Sequence, residues 1–466
     1  MRELFATIVR IALGLFYRQI EVVGLERFPR QGPVVVAANH FNSLADALLL
    51  ITALPRIPAF AVAIFLFKHP VVGRVLRWLG CVPIHRAVDE GADPRENVAS
   101  LNELGAKLRA GEVVAIFPEG VTVLGPQLQR IKVGTARLAF GAESQADWQL
   151  RLRVLPVGLQ YEDAPRWRSA VRVEIGEPLI PGEYRSHYEE HSRRAMGEFT
   201  KRLEEQLRRV SLHAETWEER GEALFAARCY LAELRSGKVT HPIGGERQGG
   251  AVEAGSRTAE TFLSWHKNMK DRKPKEVASV VHRLRRLRRA LELMGLAVED
   301  LDKARKRRRV ARSIGWRVAL WTFAIPLSAW GRANSWLAER TIVAYGRRFN
   351  PGGDVSHVTW LVIPGLIIAP VVHLIQTGIV FAVLCLAGMH IGVAALWSVA
   401  YFGSLTPTWM LSLRLRDLRH EGVRWAKALA ILTGHRRLVP QMLKERLEIA
   451  KLLEGLVREA AAQGER

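Results

Sequence analysis

Between residues 20 and about 210, short runs of apolar, often β-branched residues alternate with longer stretches in which apolar positions recur every three or four residues. The short runs predict strands at 20–23, 34–38, 59–65, 81–84, 113–117, 152–159 and 171–175. The longer ones predict helices at 45–52, 71–79, 96–109, 132–140 and 188–210. Strands alternating with helices predict an α/β layered domain, a sheet flanked by helices. Ahead of it, Leu4, Phe5, Ile8, Ile11, Ala12, Leu15 and Phe16 form one helical stripe. Arg10 interrupts what would be the apolar centre of a signal peptide, and no small-residue cleavage site follows. Two readings fit this helix: it packs on the domain, or it lies in a membrane interface.

Beyond residue 211 the pattern changes. Residues 212–234 read as helical, 236–256 are rich in glycine, and 257–312 are helical and strongly basic. From Val355 to Leu413 there is no Asp, Glu, Lys or Arg, a run of 59 residues. That is too long for one membrane-crossing helix and suits two. The expected arms are about 358–375 and 379–402, parted at Gln376-Thr377-Gly378, with Pro364 and Pro370 in the first. Arg347 and Arg348 upstream, and Arg414, Arg416 and Arg419 downstream, place both flanks on the cytoplasmic side by the positive-inside rule. A buried helical pair in a soluble fold is the alternative. The Trp-rich stretch 318–330 suits an interface, and Ile449, Leu452, Leu453 and Leu456 make a packing stripe on a last helix.

Composition sharpens this. The 466 residues carry 68 Lys and Arg against 46 Asp and Glu, a formal charge of +22. Such a balance points to anionic partners: nucleic acid, anionic lipid or phosphorylated substrates. The mean hydropathy near zero averages the uncharged run with the arginine-rich helices. Nucleic acid is not expected, because 270–312, where Arg283, Arg285, Arg286, Arg288 and Arg289 cluster and 303–312 is densely basic, holds no Phe, Trp or Tyr for base stacking. Three scattered cysteines, Cys81, Cys229 and Cys385, give neither a disulfide framework nor a zinc spacing.

Four short motifs stand at the ends of predicted strands or within them. In Asn39-His40-Phe41-Asn42-Ser43-Leu44-Ala45-Asp46, His40 follows a strand and Asp46 falls in the first turn of the next helix. The two meet only if His40 stands on the loop and Asp46 points back, in which case the carboxylate fixes the imidazole tautomer and frees the other nitrogen as a general base. Alternatively, Ser43-Leu44-Ala45-Asp46 is a helix capping box. Phe117-Pro118-Glu119-Gly120 presents a carboxylate at the carboxyl edge of the sheet, where open α/β sheets bind ligands. Cys81-Val82-Pro83-Ile84-His85-Arg86 delivers an arginine suited to phosphate, and Leu155-Pro156-Val157-Gly158-Leu159 is a strand carrying Pro and Gly.

Together, and in this order, the motifs resemble the glycerophospholipid acyltransferase family over roughly residues 20–212. The resemblance implies that His40 is the catalytic base and Asp46 its orienting partner. It implies that Arg86 and Glu119, with Phe117, Pro118 and Gly120, bind a glycerol-phosphate acceptor, and that Pro156 lies in the block associated with the acyl chain. Five residues separate His40 from Asp46 where four are usual, which resembles a branch that includes fungal glycerol-3-phosphate/dihydroxyacetone-phosphate acyltransferases. The arginine common after the glycine is replaced by Val121-Thr122-Val123, so Lys132, Arg130 or Arg137 is expected to supply phosphate charge. The implied reaction moves an acyl group from acyl-CoA or acyl carrier protein to glycerol 3-phosphate or a lysophospholipid such as 1-acylglycerol 3-phosphate, with no cofactor. The expected organisation is an interface helix at 1–19, a mixed-sheet acyltransferase domain at 20–212, a basic helical region at 213–312, and a membrane-associated region at 313–466 holding a hydrophobic hairpin. That chain would sit on an anionic membrane with its catalytic domain on the cytoplasmic face. The alternative is a basic scaffold or nucleic-acid-binding protein with an inactive acyltransferase-like domain.

Overall fold

A computed structural model of the chain describes residues 2–68, 72–85, 94–123, 125–162, 168–239, 251–305, 307–349, 357–434 and 438–464. These divide into two compact units, Met1–Ser211 with Ala338–Val372, and Leu212–Leu337 with His373–Arg466. Each is described by itself.

The first unit is built around a strand with no polar side chain, β2 (Val34–Ala38), whose five residues are all buried. An unbroken apolar run of this kind suits a strand covered on both faces. The full set in chain order is α1 (Arg2–Phe16), β1 (Gln19–Val23), β2, α2 (Leu44–Ala53), β3 (Ala59–Ala63), α3 (Ile64–Phe67), α4 (Val72–Leu79), β4 (Val82–Ile84), α5 (Pro94–Arg109), β5 (Val113–Ile116), α6 (Gly134–Ser144), β6 (Arg153–Tyr161), β7 (Ala170–Ile175) and α7 (Arg185–Val210). The seven strands lie in the order β1-β7-β6-β2-β5-β3-β4, and all neighbours are parallel except β6 and β7. This is the expected mixed sheet.

Side-chain alternation sends Val35 and Ala37 of β2 into one core with Val114 and Ile116 of β5, Leu104 and Leu108 of α5, Phe140 of α6, and Phe199, Leu203 and Leu207 of α7. Helices α1 and α2 pack on each other, and α1 buries Ala6, Val9, Leu13 and Phe16. Its other side exposes Leu4, Ile8 and Ile11, so α1 is both packed on the domain and apolar outward.

Register fixes what the sheet presents at its carboxyl edge. β2 runs parallel to β5 with Ala37 beside Ile116, and parallel to β6 with Ala38 beside Val157. His40, Glu119 and Tyr161 all follow these aligned positions and so emerge at the same edge. The fourth motif is packed tightly: a Cβ on Gly158 would lie 1.8 Å from the Val210 carbonyl oxygen at the end of α7.

In the second unit, α8 (Trp217–Arg235), α9 (Ala251–Met269), α10 (Pro274–Leu293) and α15 (Leu438–Gly464) share a core that includes Cys229, Phe262, Trp265, Leu284, Ile449 and Leu453. The same core takes in Leu301 of α11 (Asp300–Arg305). Inside it Arg446, fully buried, is held by Glu233 at 2.7 Å, by Asp302, and by the Val298 carbonyl at 3.0 Å. The α10 arginines are drawn partly into internal pairs: Arg283 with Glu448 at 2.9 Å, Arg285 with Glu222, and Arg288 with Glu292 at 2.8 Å. Part of the 236–256 glycine-rich stretch, and the side chains of 303–312, lie outside the described residues.

Three long helices complete the chain: α12 (Arg307–Phe349), α13 (His357–Leu386) and α14 (Ile391–Gly434). Here the hairpin differs from expectation. The helix does not break at Gln376-Thr377-Gly378 but runs on to Leu386, and the turn falls at 387–390. Two features explain this. The Gln376 amide donates to the Asn334 carbonyl and the Thr377 hydroxyl to the His373 carbonyl, so neither polar side chain disturbs the helix. Gly388, at φ +83°, closes the helix with Met389 N–H on the Leu384 carbonyl and Gly388 N–H on that of Cys385, a Schellman end. The expected second arm, 379–402, is therefore not one helix. Among the described residues one segment, Pro364–Leu386, is long and apolar enough to cross a membrane, and most of it is not buried.

Candidate active site

The site forms where β2 ends and α2 begins. His40 Nδ1 lies 2.9 Å from Asp46 Oδ2, and Asp46 is fully buried while 17% of the His40 side chain is exposed. The wide loop between them closes through Ser43, whose φ of +53° is a backbone region that residues with side chains seldom occupy. That turn lets Asp46, in the first turn of α2, point back toward the strand end. The capping box does not form: Ser43 makes no side-chain cap, and Asp46 Oδ2 accepts the backbone N–H of Asn42 at 2.8 Å instead. With a carboxylate on Nδ1, the proton sits on that nitrogen and Nε2 carries the lone pair.

The ring itself is clamped. Phe117 stacks on His40 with centroids 4.0 Å apart and an interplanar angle of 16°. Glu119, almost fully buried, accepts the His40 backbone N–H at 2.7 Å on Oε1 and the Gln129 N–H at 2.9 Å on Oε2. Burial pushes the Glu119 carboxyl above its ordinary range, against the opposing pull of those two N–H groups. The turn after it returns through Gly120 at φ +66°, where a Cβ would meet Lys132 Nζ at 2.7 Å, so the Lys132 ammonium lies over this turn. The Lys132 N–H also bonds the Pro118 carbonyl at 2.9 Å.

His40, Asp46, Phe117, Pro118, Glu119, Gly120 and Lys132 are thus brought to one edge of the sheet. Pro156 is buried inside β6 beside Ala37, and a Cβ on Gly176 would stand 2.9 Å from its ring. Arg86 lies outside the described residues. The strand leading to it is held by Asn97 of α5, which pairs with the His85 N–H at 3.0 Å and the His85 carbonyl at 2.9 Å.

Sequence reasoning passed over Tyr161, whose hydroxyl donates to Asp46 Oδ1 from 115 positions away. It also passed over Tyr17, which accepts the Asn42 amide at 3.3 Å, and Asn39, whose side chain bonds both the N–H and the carbonyl of Leu159 at 2.6 and 3.1 Å. The signal for Asn39 was local, a buried amide inside the His40 motif. For the tyrosines no sequence spacing carried one.

A family model described as Acyltransferase matches residues 19–160, the segment that supplies all of these groups except Tyr17 and Tyr161. The chain carries an acyltransferase-family domain. The acyltransferase domain is similar to several curated proteins. An uncharacterized acyltransferase of Schizosaccharomyces pombe is 25% identical over 272 residues, 40% of each chain. Glycerol-3-phosphate O-acyltransferase 2 of Saccharomyces cerevisiae is 32% identical over 124 residues, 26% of this chain and 17% of the relative. A probable 1-acyl-sn-glycerol-3-phosphate acyltransferase of Mycoplasma pneumoniae is 29% identical over 138 residues, 28% of this chain and 49% of the relative. The chain thus spans less than half the length of these relatives. Among solved structures, the 1-acyl-sn-glycerophosphate acyltransferase PlsC of Thermotoga maritima is 26% identical, covering 44% of this chain and 81% of that one, with a TM-score of 0.33.

Proposed function

We propose that this acyltransferase moves a fatty acyl group from an acyl thioester, acyl-CoA or acyl carrier protein, to a hydroxyl of 1-acylglycerol 3-phosphate or glycerol 3-phosphate. One observation carries the reading: a partly exposed imidazole at the sheet edge whose Nδ1 is held at 2.9 Å by a fully buried carboxylate. His40 Nε2 takes the proton of the acceptor hydroxyl as its oxygen attacks the thioester carbonyl. The tetrahedral intermediate then collapses, the C–S bond breaks, and the imidazolium returns the proton to the leaving thiolate. Asp46 stabilises the imidazolium between these steps. Neither step calls for a metal or a redox group.

Lys132 is proposed to meet the acceptor phosphate, with Arg86 as its partner. Glu119 acts from beneath, since its oxygens already hold the loops that carry His40 and Gln129. Phe117, Pro118 and Gly120 shape the floor, and Pro156 belongs to the side that receives the acyl chain. Membrane association fits the substrates: α1 presents Leu4, Ile8 and Ile11, and Pro364–Leu386 is about 35 Å long as a helix against a hydrocarbon core of about 30 Å. We place the protein on an anionic membrane with the domain facing the cytoplasm.

The test is an assay of the purified full chain with acyl-CoA and acyl carrier protein donors, offering glycerol 3-phosphate and lysophosphatidic acid in parallel. Transfer to at least one acceptor, abolished in His40→Ala with lipid binding retained, is the expected result. Normal turnover in His40→Ala overturns the assignment.

A further inference from the structure

We propose that Tyr161 and Tyr17 are positioning residues for the His40–Asp46 pair, Tyr161 orienting the Asp46 carboxylate directly and Tyr17 doing so through Asn42. This rests on the acyl-transfer reading above.

The direction of the bond to Asp46 follows from proton counting. Each phenol has one proton to donate. A carboxylate only accepts, so the Tyr161 proton goes to Asp46 Oδ1. The Tyr17 ring lies beside that of Tyr161, with centroids 6.0 Å apart. Tyr17 in turn accepts the Asn42 side-chain amide at 3.3 Å, while the Asn42 backbone N–H returns to Asp46 Oδ2 at 2.8 Å. The network therefore supplies a donor to each oxygen of one carboxylate, Tyr161 to Oδ1 and the Asn42 N–H to Oδ2. Its members come from the loop after β2, the end of β6 and the residue just past α1.

Both phenols are pushed above their ordinary range by burial and by the neighbouring Asp46 charge, so both remain protonated donors across the working range of pH. Tyr17 is itself fixed by the Arg168 guanidinium, which bonds the carbonyls of Gly14, Leu15 and Tyr17 at 2.9, 3.2 and 3.2 Å. The seating of α1 is thereby linked to the catalytic carboxylate. A phenylalanine would fill the same volume at either position, so packing alone does not account for one hydroxyl on Asp46 and another on Asn42, which itself bonds Asp46.

The groups facing the pair are Glu119 through the His40 backbone, Lys132 over the adjoining turn, and the two tyrosines. Removing the Tyr161 hydroxyl takes away the donor on Oδ1. The carboxylate becomes more basic and holds the protonated imidazole more tightly. Because the base must be neutral to act, the acid limb of the activity profile moves to higher pH.

The experiment compares full-length wild type, Tyr161→Phe and Tyr17→Phe in detergent, by the pH profile of kcat/KM and by ¹⁵N NMR of the His40 ring, assigned against His40→Asn. In Tyr161→Phe the acid limb is expected to rise by about half a unit to one unit, and kcat to fall about tenfold at unchanged KM. Tyr17→Phe should shift both in the same direction by less. A merely structural role would lower the melting temperature of Tyr161→Phe with the limb, the kcat-to-KM split and the His40 resonances unmoved, and that result overturns the proposal. If Tyr161→Phe does not fold, unmoved His40 resonances in folded Tyr17→Phe overturn it equally. Wild type that transfers no acyl group, while the His40 resonances still respond to Tyr161→Phe, sinks the functional reading and leaves the positioning intact.

Discussion

Asp46→Asn is the sharpest perturbation of the site, because the side chain keeps its size and loses its charge. Three donors converge on Asp46: His40 Nδ1, the Asn42 N–H and the Tyr161 hydroxyl. An asparagine can keep its oxygen toward His40 and Asn42 and turn its amide nitrogen to Tyr161, whose hydroxyl rotates to accept. The tautomer of His40 is then preserved, and what is lost is the attraction between the carboxylate and the imidazolium formed in the transition state. For unit charges about 4 Å apart at an effective dielectric constant near 20, that attraction is about 4 kcal/mol. Partial exposure of His40 screens part of it, so kcat should fall about 10²- to 10³-fold with KM little changed. Asp46→Ala is a poorer probe, since it leaves the Asn42 N–H and the Tyr161 hydroxyl buried without their acceptor, at about 1–3 kcal/mol each. The assay is steady-state acyl transfer alongside far-UV circular dichroism. A folded Asp46→Asn protein working within threefold of wild type would refute the reasoning.

Three further outcomes follow from the same structure. Glu119→Gln must set an amide N–H against one of two backbone donors, His40 or Gln129, and should destabilise the domain by about 1–3 kcal/mol in urea denaturation. Since burial raises the Glu119 carboxyl above 4.5, its ordinary value, the native state binds that proton at higher pH than the unfolded chain; this contribution to stability grows as pH falls toward 4.5, and the gap between wild type and Glu119→Gln should widen with it. Arg446→Ala leaves the buried Glu233 carboxylate with Lys238 and Ser236 alone and empties the buried arginine's space, and should cost the second unit about 3 kcal/mol, read as lost hydrogen-exchange protection in α8 and α15, whereas unchanged protection would show the pair to be dispensable. Replacing Leu4, Ile8 and Ile11 together by Ser removes the exposed apolar face of α1 and should weaken sedimentation with anionic vesicles while leaving the melting temperature within a few degrees.

How far the sequence reaches into this protein depends on the range of each interaction. The seven strands and most of the helices between them were legible because periodicity is written into each segment's own side chains, as in the all-apolar β2, whereas α3 starts at Ile64 inside the run read as a strand over 59–65. The pairing of His40 with Asp46 was legible as well, since only a short loop separates His40 from the first turn of α2 that carries Asp46. The same is true of the +22 charge, and of the i,i+4 pair Arg288–Glu292, but the pairing of Arg283 and Arg285 with carboxylates of α15 and α8 depends on how those helices pack. The helix turn at Gly388 was misplaced because Gln376 and Thr377 look like breakers until Asn334 and His373 supply their partners. Strand order decided the rest. Only with β2 lying parallel to both β5 and β6 does one edge gather the His40 loop, the Glu119 turn and Tyr161, and hydrogen bonds spanning 79 and 115 positions leave no periodic trace in a sequence. The chain by itself determined which residues could do the chemistry. Tertiary packing determined which of them face His40 and which hold it in place.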